Sequence, residues 1–372
     1  MIARSTRTTQ LEDAKRWAVG LFHRYTNLGQ VDEEQLSHTL FKQLAIQLMR
    51  REAARRDRGE FAELSYKADQ IRLATEIIPF FGDLPIKAIT PNDIEAFCSK
   101  LETRSLSSTT LSLYLMTLRK VLKYALAINA ISIIPSMPSV KIRKRSRGSF
   151  TPTEYVKLLK TARALVGQPV LNPNRTIPKR FWIIPRYRRY PKDLAFVIAF
   201  MVNSFVRPSD LKTLRHRHIE VVRGQHTYLR LTLPETKAHD APIVTLRAAV
   251  RLYEHLLEQQ KTEGFGRPDD FLFLPSEHNR SYGLAVLGWM FRNLLEKLEL
   301  RDGPHGNPRT LYSLRHTAIT LRLLYGTGID MLTLARNART SVEMIERHYA
   351  SALTAERNIG MLQSKRSPRQ RN

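Results

Sequence analysis

A break near the middle of the chain limits what it can fold into. Ile133 to Pro138 ends a helical stretch with two prolines, and Lys141 to Gly148 is a charged run without apolar periodicity. Proline interrupts a helix, and a charged run has no apolar face to bury. At 372 residues the chain is long enough for two packed cores. We therefore predict two domains joined by a basic linker over residues 141–149.

The part before the linker has the pattern of a helical domain. Thr90-Pro91 and Ser107-Ser108 are helix-start sequences whose side chains can cap the first turn. The single cysteine, Cys98, cannot form an internal disulfide and is predicted to be a small buried hydrophobe. We assign residues 61–140 to this domain. The second helix carries an apolar stripe made of Leu111, Leu115, Leu118, Leu122 and Ala125.

The first 60 residues also contain a helical signal, whose place is left open. Leucines recur every fourth residue at positions 36, 40, 44 and 48. This stripe fits a helix of the same domain, an additional N-terminal element, or a contact between subunits. We treat residues 1–60 as an N-terminal helical extension of uncertain role.

The part after the linker combines helices with a short hairpin. Thr151-Pro152-Thr153-Glu154 has the N-cap, proline and acid of a helix start, so this domain begins near Phe150. Residues 228–233 and 241–246 alternate like strands and flank a turn-rich segment. The chain is therefore predicted to be mainly α with a small antiparallel β-sheet, an α+β fold. We place this domain at residues 150–362, followed by a basic, disordered tail at residues 363–372.

The charge of the chain indicates its partner. Sixty lysines and arginines against 34 aspartates and glutamates give a formal net charge of +26. Such a charge attracts a polyanion, and double-stranded DNA is the partner that we predict. No apolar stretch approaches the roughly twenty residues that span a bilayer, and the sequence start lacks a secretory pattern. We predict no membrane partner and a cytoplasmic, nucleoid-associated protein.

Four residues of the C-terminal part stand in an order that suits phosphodiester chemistry: Arg207, Lys237, Arg315 and Tyr349. Two guanidinium groups can stabilise the negative charge that develops on phosphate oxygens during nucleophilic attack. A tyrosine hydroxyl can be the nucleophile in a cationic, water-poor site. A lysine at the hairpin turn can protonate the leaving oxygen. The sequence contains no phosphate-binding glycine loop, no H-E-x-x-H and no paired cysteines, so we predict neither a cofactor nor a metal.

The sequences around these residues resemble the tyrosine recombinase (phage integrase) family. The similarity rests on F-V-R-P-S-D-L at Arg207, Y-S-L-R-H-T at Arg315, and the segment ending in R-H-Y at Tyr349. It implies a helical DNA-clasping domain followed by a catalytic domain that forms a 3′-phosphotyrosyl link and then rejoins strands. It also implies a homotetramer on two DNA sites, with room for accessory DNA-bending proteins. The expected role is integration, excision or resolution of a mobile element.

Two positions depart from the family pattern. Tyr312 stands where most members have a histidine three residues before the second arginine, and Thr340 stands where they have histidine or tryptophan. A phenol can donate a hydrogen bond to phosphate, but it does not titrate near neutral pH. Thr340 also begins a capping-box pattern with Glu343, so it is interpreted either as a helix N-cap or as a catalytic residue.

Two neighbours are candidates for supporting the site. Asp210 follows Arg207 by three residues and is either a first-turn acid or a partner that fixes a catalytic group. His316 directly follows Arg315 and could compensate for the missing histidine, although adjacent helical residues point in different directions.

Other interpretations fit parts of this pattern. A type IB topoisomerase shares the tyrosine and arginine chemistry but relaxes a single duplex as a monomer. A catalytically silent DNA-binding protein would account for Tyr312 and Thr340. A basic RNA-binding module would account for the charge but not for the ordered site residues. Residues 169–191 mix five prolines with basic and aromatic residues, and form either a self-anchored surface loop or a loop that contacts phosphates and unstacked bases.

Overall fold

The structure is a computed structural model that describes residues 39–104, 106–141, 148–170, 181–234, 241–303, 306–326 and 329–349. These residues form two compact units, divided between residues 144 and 145. They are mainly helical and include a three-stranded antiparallel sheet, which confirms the predicted fold class. Residues 1–38, most of the predicted linker, Lys237 and the predicted tail lie outside the described residues.

The N-terminal unit consists of helices packed around one apolar core. Both helix starts predicted from the sequence are confirmed. The hydroxyl of Thr90 accepts a hydrogen bond from the Asp93 N–H at 3.3 Å. The hydroxyl of Ser107 accepts one from the Thr110 N–H at 3.2 Å. These caps satisfy N–H groups that have no partner within the helix. The helices are α1 (Phe41–Asp57), α2 (Glu63–Arg72), α3 (Ile78–Phe81), α4 (Pro91–Glu102) and α5 (Ser108–Ala127), with a π-helical segment at Leu73–Ile77.

The core of this unit combines the predicted stripe of α5 with residues of the other helices. Cys98 is buried on α4, as predicted. Helix α1 contributes Phe41, Leu44 and Leu48 to the same core and packs against α5. The sequence left open whether the leucine stripe belongs to this domain, to an additional element or to a subunit contact. The structure shows that the helix is part of the N-terminal unit. The buried positions of the α5 stripe are Leu115, Leu118, Leu122 and Ala125.

The C-terminal unit is built around one helix that is buried on nearly all sides. This is α7, which carries the apolar run that begins at Leu194 and packs against α6, α8, α9 and α10. The hydroxyl of Thr151 accepts a hydrogen bond from the Glu154 N–H at 3.2 Å, so the predicted start of α6 is confirmed. The helices are α6 (Pro152–Ala164), α7 (Asp193–Ser204), α8 (Ala248–Thr262), α9 (Arg280–Lys297), α10 (Leu311–Tyr325), α11 (Met331–Asn337) and α12 (Val342–Tyr349).

The sheet of the C-terminal unit has strands β1 (Ile219–Val222), β2 (Tyr228–Leu231) and β3 (Ile243–Val244), paired antiparallel in that order. The two predicted strands are confirmed but shorter than expected. Proline has no N–H to donate to a ladder, and Pro234 and Pro242 stand at the ends of the hairpin arms. Among the described residues, no helix has the length and hydropathy needed to cross a membrane.

Candidate active site

Arg315 is a buried cation held by backbone carbonyl groups. It lies on α10 with 2% of its surface exposed, and its guanidinium donates hydrogen bonds to the carbonyl oxygens of Phe205 and Ala338. Phe205 ends α7, and Ala338 ends α11. Carbonyls at helix C-termini lack an intrahelical partner and carry partial negative charge. They therefore stabilise a buried cation without neutralising it.

Arg207 lies next to Arg315 because the two side chains bind adjacent carbonyls. The Arg207 guanidinium donates to the carbonyl oxygen of Arg339, one residue after the carbonyl of Ala338 that binds Arg315. Consecutive Cα atoms are about 3.8 Å apart, so the two guanidinium groups are neighbours. Phe205 and Arg339 both have a positive φ, of 59° and 51°. Non-glycine residues adopt this region only where their surroundings hold them, and such residues often cluster at functional sites.

Asp210 fixes the backbone from which Arg207 projects. Its carboxylate accepts a hydrogen bond from the Arg207 N–H at 2.7 Å, in the first turn of a 3₁₀ segment at Pro208–Lys212. The carboxylate is buried, with 5% of the residue exposed, and its charge also acts on Arg315. The two interpretations left open by the sequence are therefore compatible: Asp210 caps a turn, and by doing so it orients a residue of the site.

The two arginines give this site a positive charge. Among the described residues, neither guanidinium is in an ion pair with a carboxylate, and their hydrogen bonds go to carbonyl groups. Burial lowers the pKa of Arg315, and the charge of Arg207 lowers it further. Tyr312, Tyr349 and Asp210 act in the opposite direction. Two adjacent cations with only partial compensation form a site that favours an anion such as a phosphodiester.

Tyr349 is buried beside this charge. It is 7% exposed at the end of α12, which packs against α10. Burial raises the pKa of its hydroxyl well above the ordinary value, while the charges of Arg315 and Arg207 lower it. Both charges are therefore close enough to act on this hydroxyl. The side chain is a neutral phenol near two cations.

His316 lies between two tyrosine rings. Its ring centroid is 5.0 Å from that of Tyr349 and 5.1 Å from that of Tyr312. Tyr312 precedes His316 by four residues on α10, so the two share a helix face. The sequence argument compared His316 only with the adjacent Arg315, and it did not consider contacts with the two tyrosines. Tyr312 itself is 38% exposed and forms the solvent side of this row.

Thr340 does not cap α12, which corrects the interpretation of a Thr340–Glu343 capping box. The cap is Ser341, whose hydroxyl accepts a hydrogen bond from the Met344 N–H at 3.2 Å. The Thr340 N–H instead donates to the Ala335 carbonyl at 2.9 Å, which closes the end of α11. The positive φ of the preceding Arg339 moves the start of the helix one residue along the chain.

The structure thus brings together Arg207, Asp210, Tyr312, Arg315, His316 and Tyr349, with Thr340 one residue from a carbonyl that binds Arg207. Lys237 lies outside the described residues. Sequence reasoning missed the carbonyls of Phe205, Ala338 and Arg339, because a backbone acceptor leaves no mark in residue type. Among the described residues, no group of three histidine, cysteine, aspartate or glutamate side chains is arranged to hold a metal.

Comparison with known proteins gives one family match and several structural matches. Residues 58–102 match the family model of the phage integrase N-terminal SAM-like domain. No curated protein sequence matches the chain. Among solved structures, the Tn1549 transposon integrase in complex with a circular intermediate DNA has a TM-score of 0.59 at 15% identity. That match covers 87% of this chain and 99% of the integrase chain.

Lambda integrase is similar to the same extent. Its dimer bound to a COC′ core site matches with a TM-score of 0.58 at 15% identity, covering 97% of this chain and 89% of that one. Its tetramer bound to a Holliday junction matches with a TM-score of 0.58 at 16% identity, covering 91% and 89%. At such identities the likeness establishes the fold. The resemblance found in the sequence is therefore confirmed at the level of the fold: residues 58–102 match the phage integrase SAM-like domain, and the chain has the fold of these integrases.

Proposed function

We propose that this protein is a site-specific DNA recombinase that cleaves and rejoins DNA strands through a covalent link to Tyr349. The observation that carries the proposal is the grouping of Arg207, Arg315 and Tyr349. The two guanidiniums bind adjacent carbonyls, and the ring of His316, next to Arg315 in the chain, lies 5.0 Å from the ring of Tyr349. A cationic pair beside a buried phenol is the arrangement that phosphoryl transfer to tyrosine requires.

The reaction begins when a backbone phosphate binds the arginine pair. The Tyr349 hydroxyl releases its proton to solvent as its oxygen attacks phosphorus. The bond from phosphorus to the 5′ oxygen breaks, and the strand is left with a 3′-phosphotyrosyl link and a free 5′-hydroxyl. Arg207 and Arg315 stabilise the charge that develops on the non-bridging oxygens. Lys237 is our candidate for protonating the leaving oxygen. A 5′-hydroxyl from a partner strand reverses the step, so the bond energy is conserved.

The resting pKa of Tyr349 suits a site that reacts only when DNA is bound. Burial favours the neutral phenol, and the arginines favour its ionised form. The charges of the arginines therefore favour loss of the Tyr349 proton as its oxygen attacks the bound phosphate. Asp210 keeps Arg207 in place through its backbone, and it acts here as a positioning residue.

The biological role that we propose is integration, excision or resolution of a mobile element, by a homotetramer on two double-stranded DNA sites. The formal charge of +26 supports DNA binding. The solved structures with this fold include an integrase on a circular intermediate DNA and an integrase tetramer on a Holliday junction. Accessory DNA-bending proteins and a location in the cytosol on chromosomal DNA belong to the same proposal.

A second candidate is a DNA-binding protein that has this fold without the chemistry. Tyr312 stands where most family members have histidine, and Thr340 stands where they have histidine or tryptophan; both departures favour it. The two candidates differ in a single observable, because only the recombinase forms a covalent bond to DNA.

Capture of that covalent bond tests the proposal and identifies the DNA target in one experiment. The full chain is incubated with sheared genomic DNA from its source cell, denatured in SDS, and the DNA that remains attached is sequenced. We expect attached DNA that shares one short sequence. Tyr349→Phe should abolish attachment while binding without SDS persists. Tyr325→Phe is the matched control, because Tyr325 is 59% exposed at the end of the same helix as Arg315.

Two outcomes would contradict the proposal. If DNA bound by the wild-type protein shares a sequence but none resists SDS, the protein is the silent binding protein. If supercoiled plasmid that lacks the captured sequence is relaxed over many turns, the protein is a topoisomerase.

A further inference from the structure

A cavity of about 510 Å³ lies in the C-terminal unit. It is bounded by Trp182, by one face of α9 and by the first turn of α10. Pro208 and Tyr312 also line it: Pro208 directly follows Arg207, and Tyr312 precedes Arg315 by three residues on α10. Its volume lies within the roughly 300–1,000 Å³ of small-molecule pockets. A strand whose phosphate is bound by the arginines would therefore have its next nucleotide near this cavity.

The wall formed by Trp182 is rigid and presents an indole to the solvent. Trp182 is 48% exposed and makes edge-on contacts with Trp289 at 6.4 Å and Tyr282 at 6.2 Å between ring centroids. Its carbonyl accepts a hydrogen bond from the Tyr282 hydroxyl at 3.2 Å, and that hydroxyl accepts one from the Ile184 N–H at 3.0 Å. Trp182 is thus supported by aromatic contacts while about half of its surface stays open to a flat ligand.

The surrounding loop uses its other aromatic side chains to anchor itself. Tyr187 and Tyr190 are buried, and so is Ile183. These contacts favour the self-anchored interpretation for the described part of residues 169–191, and residues 171–180 lie outside the described part. Among the described aromatic residues of this segment, Trp182 is the exposed one, and the neighbouring Ile184 is exposed as well.

Helix α9 has small residues where it lines the cavity. Ala285 and Gly288 face it one turn apart, ahead of Trp289. A Cβ atom added at Gly288 would meet no heavy atom within 4 Å. Small residues at these positions make room for a flat ligand against the helix.

Two cations complete the lining. Arg292 and Arg301 both border the cavity, and among the described residues neither forms an ion pair with a carboxylate. Arg301 is oriented by a hydrogen bond to the Arg309 carbonyl. Aromatic faces with arginines at the edge are the combination that binds single-stranded nucleic acid, since bases stack and phosphates pair with guanidinium groups.

From these features we infer that the cavity binds an unpaired nucleobase of the DNA strand held by Arg207 and Arg315. The inference rests on the proposed function, because a strand that changes partners must leave its complement near the cut. A base inside a duplex is stacked on both faces and is not free to stack on the indole of Trp182. The cavity would hold the separated base by stacking against Trp182 and would delay its return to the old partner.

The test compares two single-stranded probes with the full chain: a ten-nucleotide oligothymidylate and an abasic strand of the same length and charge. Fluorescence anisotropy of labelled probes gives each dissociation constant. We expect the wild-type protein to bind the oligothymidylate about 10-fold more tightly than the abasic strand, in line with the contribution of one stacked base. Trp182→Ala should reduce this ratio about 5-fold or more, with little change for the abasic strand.

Gly288→Leu is the second variant, which fills the cavity without removing any group. Leucine also has a higher helix propensity than glycine, so thermal unfolding should show an unchanged or higher Tm. It should reduce the ratio as Trp182→Ala does. The control, Tyr325→Ala, removes an exposed aromatic ring elsewhere in the same unit and should leave the ratio unchanged.

The outcomes separate this inference from the proposed function. If both cavity variants keep the wild-type ratio, or if the wild-type ratio is one, the cavity does not bind bases. If SDS-resistant attachment through Tyr349 is then still observed, only the cavity assignment fails. If the ratio behaves as expected while no attachment forms, the base site stands and the recombinase proposal fails. A cavity used by an apolar side chain of another protein would give a ratio that neither variant changes.

Discussion

Each unit of the protein buries a charged group, and the two groups have different kinds of hydrogen-bond partner. In the N-terminal unit, Asp69 is 5% exposed, and its carboxylate accepts hydrogen bonds from Arg72, from Lys120 and from the hydroxyl of Thr117. In the C-terminal unit, Arg315 is 2% exposed, and its guanidinium donates hydrogen bonds to backbone carbonyl oxygens. Among the described residues it has no carboxylate in an ion pair, although nearby polar groups act on its pKa. One charge is neutralised by two cations, and the other keeps its charge and has a second cation beside it.

The difference distinguishes a structural charge from one that is available to a ligand. A buried ion pair contributes at most modestly to stability and has no charge left to attract a substrate. A guanidinium held by carbonyl dipoles is fixed in position and remains a cation, which is the state that stabilises developing charge on a phosphate. Burial alone would not have told the two apart. The partners of the buried group decide the interpretation.

The largest effect is expected from Arg315→Lys. An ammonium group cannot make both carbonyl hydrogen bonds of the guanidinium and also form a bidentate contact with phosphate. We expect the rate of covalent attachment to DNA to fall about 10²- to 10³-fold, as when one donor to a developing oxyanion is removed. The rate is measured by SDS gel on the captured target. Arg336→Lys, at an exposed position on α11, is the matched control and should change the rate less than about 2-fold.

Arg315→Lys also tests how much the buried guanidinium stabilises the local fold. A buried carbonyl left without a donor costs about 1–3 kcal/mol. Hydrogen exchange should therefore increase in peptides that cover α10 and remain unchanged in those that cover α5. A wild-type attachment rate for Arg315→Lys would show that the buried cation is structural, as Asp69 is.

A smaller effect, on stability and not on chemistry, is expected from Asp69→Asn. Removing one partner of a buried ion pair costs about 3–5 kcal/mol, and we expect about 2 kcal/mol because Arg72 and Lys120 reach solvent. Urea denaturation should detect this loss. The attachment rate of the folded variant should stay within about 2-fold of the wild-type rate at saturating DNA.

The matched control for that variant is Asp83→Asn. Asp83 pairs with Lys42 at 2.6 Å, and both side chains are exposed, at 89% and 44%. Exposed pairs contribute about 0–1 kcal/mol, so the free energy of unfolding should change by less than about 0.5 kcal/mol. Equal losses for the two aspartate variants would contradict the role given to burial.

The smallest effect concerns a third buried polar group, which is uncharged. His216 is 5% exposed, with Nε2 at 2.7 Å from Gln260 Oε1 and Nδ1 at 3.3 Å from the Tyr253 hydroxyl. Burial lowers its pKa below 6.5, so the unfolded chain binds the proton more readily than the folded one. The stability from this group is complete above pH 6.5 and is lost as pH falls through the lowered pKa.

This dependence can be measured in urea at pH 7.5, 6.5 and 5.5. The slope from one such group is at most about 1.4 kcal/mol per pH unit. His216→Gln should reduce the fall in stability between pH 6.5 and 5.5, whereas the exposed His278→Gln should leave it unchanged. An unchanged fall in His216→Gln would assign the pH dependence to other groups.

Much of the fold could be predicted because its signals are local. Thr90, Ser107 and Thr151 cap helices as their sequences indicate, since a cap depends on a side chain and the three residues that follow it. The apolar stripe of α5 faces the core for the same kind of reason. The cap of α12 was misplaced by one residue because the positive φ of Arg339 is a property of the packed turn. No residue type in that segment indicates such a turn.

The grouping of several candidate site residues could be predicted from the sequence. The groups that hold them in place could not. Arg207, Arg315 and Tyr349 carry patterns in their neighbours, and the structure brings them together. The carbonyls that hold the arginines come from helix ends far apart in sequence, so they depend on tertiary packing. His316 was underestimated because its relation to Tyr349 is a contact between two helices, α10 and α12. The cavity at Trp182 likewise depends on several segments, from Trp182 and Pro208 to α9 and the start of α10, that no local pattern joins.

The most direct test of the account is to identify the residue that carries the DNA. The SDS-resistant complex is digested with nuclease and protease, and mass spectrometry locates the peptide that carries the remaining nucleotide. The account predicts a single modified residue, Tyr349, joined through a 3′-phosphate. A nucleotide attached to Tyr312, or to any residue away from Arg207 and Arg315, would contradict it.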